Sequence, residues 1–438
     1  MAHIGVFSLP MRSHVNLFVA LAEALARRGH RLTFFGISET ASRILNAGFN
    51  FRSTEPDDLP PGTLGNMMRE MGNLGPIKAM RLQGRFDELR YEAILKKGPG
   101  LIAQSELDAM IVDQAEACSG SLAEAVGLPW VSVANGLCMN AEPGVPPFFT
   151  SWNYSENAWA IARNRLAYAG MRWAARSIAA KINQYRRSWG LKAYECMDDS
   201  FSPFAQIAQQ NREFDFPRQE LPNCFHYVGP IRAASRPAGS FPWDRLDGRP
   251  LIYSSFGTLL NRHKHLYKTV AESCQGLAAQ LVVSLGGGAS DRNEFTSLPG
   301  RPLVLEFAPQ SEVLRHAALT VTHGGLNTTL ECLSEGVPLV AVPIAFEQPG
   351  IAARIRWSGT GELVRFRSAT SAKLRSAIVK VLGEPRYRES AARMAAAIAR
   401  TGGCEEAADI VEEVIRTKRP VPGNSNHLPL ERTAARAN

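Results

Sequence analysis

No run of about 18 uncharged apolar residues occurs in the 438-residue chain, so no membrane-spanning helix is expected. No basic segment precedes the apolar start either. Arg12, Arg27 and Arg28 fall inside or after it, and the opening reads as a strand and a helix rather than a signal peptide. Cysteine is sparse: seven residues, odd in number, scattered, and never paired as C-x-x-C. That excludes a disulfide framework and a zinc site, and predicts reduced thiols in a cytoplasmic protein. There is no RNA-binding motif or basic run, so nucleic acid is not an expected partner. With 45% hydrophobic and 21% charged residues, the bulk is neither disordered nor fibrous nor a coiled coil. What remains is a globular chain with a net charge of +8. A positive field suits an anionic ligand such as a nucleotide, or an anionic membrane surface.

At roughly 100–200 residues per domain, the length favours two or three domains. Strand-like segments at residues 3–9, 31–36, 109–112 and 129–133 alternate with helical ones at 15–28, 38–47 and 120–126. After residues 229–250, rich in proline and glycine, the alternation restarts at 251–255 and runs to a helix at 350–357. Strands separated by helices imply parallel, doubly wound sheets. The expected fold is therefore α/β: a Rossmann-like domain over 1–228, a linker over 229–250 and a second such domain over 251–418. A polar tail over 419–438 is expected to be disordered. Two segments break the rhythm: residues 59–80, rich in Gly, Pro and Met, and the Pro- and aromatic-rich 143–159, which reads as a binding loop. Residues 158–189 read as one Arg-bearing amphipathic helix, solvated or in peripheral contact with a membrane.

The most informative stretch is residues 307–348, FAPQSEVLRHAALTVTHGGLNTTLECLSEGVPLVAVPIAFEQ. A strand at 319–322 runs into His323-Gly324-Gly325 and then a helix. Glycines at such a turn let backbone approach a ligand, and a helix N-terminus is a ready anion site. His323, Asn327 and Thr328 surround that terminus, and Glu331 lies one turn on. The segment resembles the nucleotide-sugar signature of the UDP-glycosyltransferase superfamily, inverting enzymes of the GT-B fold. That resemblance implies two Rossmann-like domains facing across a cleft, with the C-terminal helix returning to the first. It also implies Phe307 stacked on uracil, Gln310 and neighbouring backbone holding the base, and Gly325, His323, Asn327 and Thr328 on the diphosphate. Glu331 would bind ribose, Ser255 and Thr258 would line the phosphates, and Glu347-Gln348 would read the sugar. Phe307 replaces the Trp common in plant members, and Glu347 the more frequent Asp. No D-x-D motif is present to hold a divalent cation, so neither metal nor other cofactor is expected; the UDP-sugar is a co-substrate.

Inverting transfer needs a base for the acceptor hydroxyl, and histidine is the natural choice near neutral pH. His14 follows the first strand, in an expected loop over residues 10–14, at the edge where open α/β sheets bind ligands. Asp113 ends another strand at that edge and could fix the imidazole. The superfamily's catalytic histidine falls at the position of His14.

Residues 135–147, 201–232, 346–355 and 402–415 resemble bacterial members that glucosylate carotenoids such as zeaxanthin. The resemblance extends from about residue 1 to about 418. Met67, Met71, Phe148, Phe149 and Trp152 would suit a long apolar acceptor carrying a hydroxyl. They would equally suit a flavonoid, polyketide or sterol. Two readings of other classes remain: an epimerase acting on the UDP-sugar alone, and a non-catalytic UDP-sugar binder.

Overall fold

The computed structural model describes residues 1–71, 74, 76–233, 240–257, 264–286, 295 and 297–423. Its first half holds β1 (His3–Phe7), α1 (Arg12–Arg27), β2 (Arg31–Gly36), α2 (Ser38–Asn46) and β3 (Asn50–Ser53). Then come α3 (Thr63–Met71), α4 (Pro76–Ala103), β4 (Ala109–Asp113), α5 (Ser119–Ala125) and β5 (Trp130–Ala134). Helices α6 (Ala158–Ala174) and α7 (Arg176–Ser188) precede the short β6 (Ala205–Ala208) and β7 (Phe225–Tyr227). All seven strands are parallel, in the order β3-β2-β1-β4-β5-β6-β7.

The second half begins with β8 (Leu251–Ser255), α8 (Lys264–Cys274), β9 (Gln280–Ser284), β10 (Leu303–Leu305) and α9 (Gln310–Leu314). It continues with β11 (Ala317–Thr322), α10 (Leu326–Ser334), β12 (Leu339–Ala341), α11 (Gln348–Trp357) and β13 (Gly361–Leu363). Its parallel sheet runs β10-β9-β8-β11-β12-β13. Helices α12 (Ser371–Gly383), α13 (Pro385–Ile398) and α14 (Gly403–Thr417) close the chain. The central strands β1, β4, β5, β8 and β11 are buried on both faces, which is why they read as apolar runs rather than alternating patterns.

α14 leaves the second sheet and packs on the first. Its Ala407, Ile410, Val411 and Val414 join the core formed by Ile4, Val6 and α1. Arg28 reaches across to Glu405, Asp409 and Glu412 at 2.6–2.8 Å. These pairs are exposed and add little; the buried apolar face holds the helix.

Several sequence expectations change. The helix expected over 158–189 is two, broken at Ala175, where the Arg176 guanidinium donates to the Trp173 carbonyl at 2.7 Å. Residues 63–71 and 76–103 form helices within and beyond the Gly-, Pro- and Met-rich stretch that breaks the strand–helix rhythm. β3, β6 and β7 were not expected, being too short to show a period. His14 lies in the first turn of α1 rather than in a loop. The apolar pattern starts only at Val15 because Arg12, Ser13 and His14 face away from the core.

Among the described residues no helix is long and apolar enough to cross a membrane.

Candidate active site

Each sheet reverses its strand order once: the first between β1 and β4, the second between β8 and β11. Crevices at such switch points are where open α/β sheets take ligands. His14 follows β1 and Asp113 ends β4; Ser255 ends β8 and His323 follows β11. The fold alone thus brings four expected residues to two equivalent places.

At the first switch point His14 Nδ1 meets Asp113 Oδ2 at 2.5 Å. Asp113 is 1% exposed and His14 13%. The same carboxylate accepts from Leu9 N at 3.2 Å and Ala115 N at 3.0 Å, so its orientation is fixed. Because Nδ1 donates to Asp113, Nε2 is left with its lone pair, available to take a proton. Burial works against a charged imidazole. The Asp113 carboxylate outweighs it, with Glu347 and Glu116 adding negative potential, and His14 is raised above its ordinary value.

Glu116 is a functional neighbour the sequence reading missed. Its N–H donates to Asp113 O at 2.8 Å, and its carboxylate is gripped from both sides by buried Arg90, at 2.7 and 3.1 Å. An acid three residues past the strand-ending aspartate was visible in sequence; its arginine partner on α4 was not.

At the second switch point the His323 ring lies between two glycines. A Cβ at Gly257 would fall 2.8 Å from it, and one at Gly325 2.6 Å. Gly257 and Gly324 also adopt positive φ, +72° and +80°, where a side chain would be strained. Burial, opposed only by a hydrogen bond to Ser255 backbone, pushes His323 down to about 4. It is therefore neutral at pH 7 and offers an N–H rather than a charge. No side chain caps α10, and its first internal bond runs from Thr329 N to Gly325 O. The amides of Leu326, Asn327 and Thr328 precede that bond, so they form the open N-terminus of the helix.

Around that terminus Gln310 and buried Glu331 are hydrogen-bonded to each other, and Tyr253 donates to Gln310 at 3.3 Å. Phe307 is 62% exposed, an unusual state for a phenyl ring and suited to stacking on a flat ligand. Ser255 is buried and accepts from Gly257 N at 3.4 Å. Thr258 lies outside the described residues. Gln348 uses its carbonyl to accept from Ile344 N and Ala345 N, at 2.8 and 3.0 Å, leaving its NH2 group for a ligand. Phe346 before it has φ +56°, strain of the kind that collects at functional turns.

The halves meet directly. Glu347 reaches Gly136, where a Cβ would stand 3.5 Å from it, and burial raises its pKa against the pull of a backbone hydrogen bond and of His14. Gln209 donates to Asn135 O and, at 2.7 Å, to Asn327 Oδ1. Asn327 is thus shared between the domains; its NH2 group also donates to Asn135 Oδ1 at 3.5 Å, which leaves one N–H for an anion. A buried cluster lies further back. Arg354 on α11 donates to Asp215 at 2.7 Å, while Arg218 and Tyr227 bond the other oxygen at 3.2 and 2.9 Å. Burial alone would raise Asp215; the two guanidinium groups hold it far below the usual carboxylate range.

The expected acceptor residues are not gathered into one wall. Met67 and Met71 are buried in a small cluster with Ile37 and Phe86, against which Phe346 of the other half packs. Phe148 and Phe149 stack edge to face at 5.4 Å, with Phe148 packed on the second half's core. Trp152 lies apart under Arg163, 4.2 Å from its ring centre.

Two parallel, doubly wound domains with facing switch points define the GT-B architecture. The chain matches the family model "UDP-glucoronosyl and UDP-glucosyl transferase" over residues 191–399. It is 33% identical to a zeaxanthin glucosyltransferase of Pantoea ananas, covering 98% of this chain and 99% of that protein. It is 30% identical to the zeaxanthin glucosyltransferase of Pseudescherichia vulneris, over 95% and 98%. Among solved structures it resembles the calicheamicin glycosyltransferase CalG4, with TM-score 0.73, 22% identity and 96% and 100% coverage. The chain belongs to the UDP-glycosyltransferase family.

Proposed function

We propose that this enzyme moves glucose, with inversion, from UDP-glucose to a hydroxyl of a lipophilic acceptor, a hydroxylated carotenoid such as zeaxanthin. The observation that carries the reaction is the His14–Asp113 pair at one switch point, opposite the open helix terminus of α10 at the other. His14 Nε2 takes the acceptor proton as the acceptor oxygen attacks the anomeric carbon. The bond from that carbon to the diphosphate oxygen breaks, and its electron pair leaves with UDP. Asp113 holds the imidazolium that forms. The α10 amides, with the N–H of His323 and the NH2 of Asn327, meet the growing charge on the leaving diphosphate. Since His323 is neutral, the helix terminus and hydrogen bonds do this without a protonated histidine. No metal is assigned a role.

Phe307, Gln310 and Glu331 are assigned to the nucleoside, and Glu347 with the NH2 of Gln348 to the hexose. The carotenoid rests on likeness to the two zeaxanthin glucosyltransferases over nearly the whole chain. Phe148, Phe149 and Trp152 supply apolar surface for it. A base beside the cleft is superfluous in a mere binder of UDP-sugars, and an epimerase would turn one UDP-sugar into another with no acceptor consumed and no net release of UDP. The test is an acceptor screen with UDP-glucose, with mass spectrometry of products. Zeaxanthin mono- and diglucosides are expected, unaffected by EDTA. Free glucose alone, UDP release independent of acceptor, or EDTA inhibition restored by magnesium would overturn the reading.

A further inference from the structure

Helix α6 carries Trp159, Leu166 and Trp173 exposed at 71%, 76% and 67%. Seven-residue spacing returns a side chain to within about 20° of the same direction after two turns, so the three form one stripe roughly 21 Å long. The opposite face is the anchored one. Asn164 donates to Pro143 O at 3.0 Å, Tyr168 to Val145 O at 3.2 Å, and Ala160 is buried with them. Three large apolar side chains pointing directly away from the fold are an unpartnered surface.

The charge around that stripe is of one sign. From residue 157 to 194 there are eight Arg and Lys and no Asp or Glu. Lys181, Arg186 and Lys192 pair with Glu92, Glu124 and Glu195 from outside that stretch. Among the described residues no carboxylate pairs with Arg165, Arg172 or Arg176, which are exposed. Arg163 and Arg176 sit over the rings of Trp152 and Trp173, 4.2 and 4.1 Å from their centres. A tryptophan-bearing apolar stripe flanked by arginines, on a helix without acids, is the chemistry of a helix lying in a lipid headgroup layer. A second copy is disfavoured, since a two-fold contact would set these arginines against each other.

We infer that the outer face of α6 docks on an anionic lipid bilayer. The same helix rests on the segment 143–157 that holds Phe148, Phe149 and Trp152. Docking would therefore bring that loop to the membrane surface, where an apolar acceptor resides. The docking itself does not depend on the acceptor assignment.

The test is flotation of the full chain with vesicles of phosphatidylcholine alone, or with added phosphatidylglycerol. The wild type should float with the phosphatidylglycerol vesicles and be released by salt, as each interfacial arginine contributes on the order of fivefold in partition. A variant carrying Trp159→Ser, Leu166→Ser and Trp173→Ser should lose at least about tenfold. One carrying Arg165→Gln, Arg172→Gln and Arg176→Gln should lose the preference for phosphatidylglycerol. Both should bind UDP in calorimetry as the wild type does, which shows that they fold and separates this result from any failure of the transferase reading. Equal flotation of wild type and variants would overturn the inference. So would a wild-type dimer that the serine variant dissolves, or binding to heparin or RNA without binding to vesicles.

Discussion

At the first switch point a histidine is held beside carboxylates; at the second, one is held between glycines. The two places are topologically equivalent, each at the reversal of a parallel sheet, yet His14 is raised and His323 falls to about 4. The difference is local chemistry. Asp113, Glu347 and Glu116 stabilise a proton on His14. Gly257 and Gly325 admit the His323 ring but give it no anion, so burial decides. On the proposed roles, carboxylates suit the group that is to accept a proton during the reaction. One that must meet a diphosphate does better without them, because a carboxylate there would repel the ligand.

The sharpest way to break the comparison is to remove each histidine in turn. His14→Ala should lower turnover on an aliphatic alcohol acceptor by about two to four orders of magnitude, with UDP affinity unchanged in calorimetry. Asp113→Asn should cost less, since the base remains although less well held. An acidic phenol, already ionised at assay pH, should partly rescue His14→Ala. His323→Ala should instead weaken UDP binding and leave the pH dependence governed by His14. Wild-type turnover in His14→Ala would end the assignment of different roles to the two sites.

The next effect is on the frame that holds the two sites opposite each other. Arg354→Ala leaves Asp215 buried with one fewer cation, and breaking such a pair costs about 3–5 kcal/mol. Thermal unfolding should show the loss. Because Asp215 is depressed, its contribution is present above its ordinary value near 4 and is lost as pH falls below it. The difference between wild type and variant should therefore persist from pH 8 to 5 and shrink only in acid. A variant as stable as the wild type would show that other contacts hold the domains.

A smaller effect separates the glycines. Gly325→Ala places a methyl 2.6 Å from His323 Nε2, so the ring must move. UDP affinity should fall about tenfold, or 1.4 kcal/mol, while the pH profile of His14 stays in place. Unchanged UDP affinity would mean that the ring is free to shift and that the glycines serve only the turn.

Much of this was legible in sequence because it lies at strand ends. Residues 3–9 and 109–112 read as buried strands, which alone puts His14 and Asp113 on one sheet edge. The turn at Gly324-Gly325 announced itself similarly. What escaped were partners distant along the chain. Arg354 and Asp215 stand 139 positions apart, and Gln209 and Asn327 stand 118 apart. Periodicity carries no information about which buried charges meet. The arrangement of the acceptor-side candidates escaped for a related reason. Met67, Met71, Phe148 and Trp152 have the composition of one apolar wall, but packing spends the two methionines on a separate cluster. Composition reports how much apolar surface exists, not which residues share it.

The smallest predicted effect tests whether the two sites share a field. Glu347 belongs to the donor half, yet its charge contributes to raising His14. The base must be unprotonated, so kcat/KM rises with pH through the His14 value. Removing a nearby negative charge by Glu347→Gln lowers that value and should move the ascending limb to lower pH, by about half a unit or 0.7 kcal/mol. Asp113→Asn should move it further, being in direct contact. The position of the limb, not its height, is the readout, since Glu347 is also assigned to the sugar. The limb in kcat/KM reports the free enzyme and that in kcat the bound complex. A bound hexose lying between Glu347 and His14 would engage the carboxylate, so the shift should be larger in kcat/KM than in kcat. A limb that stayed fixed in Glu347→Gln while moving in Asp113→Asn would confine the field of each half to its own side of the cleft. The contrast between the histidines would then be set within each sheet alone.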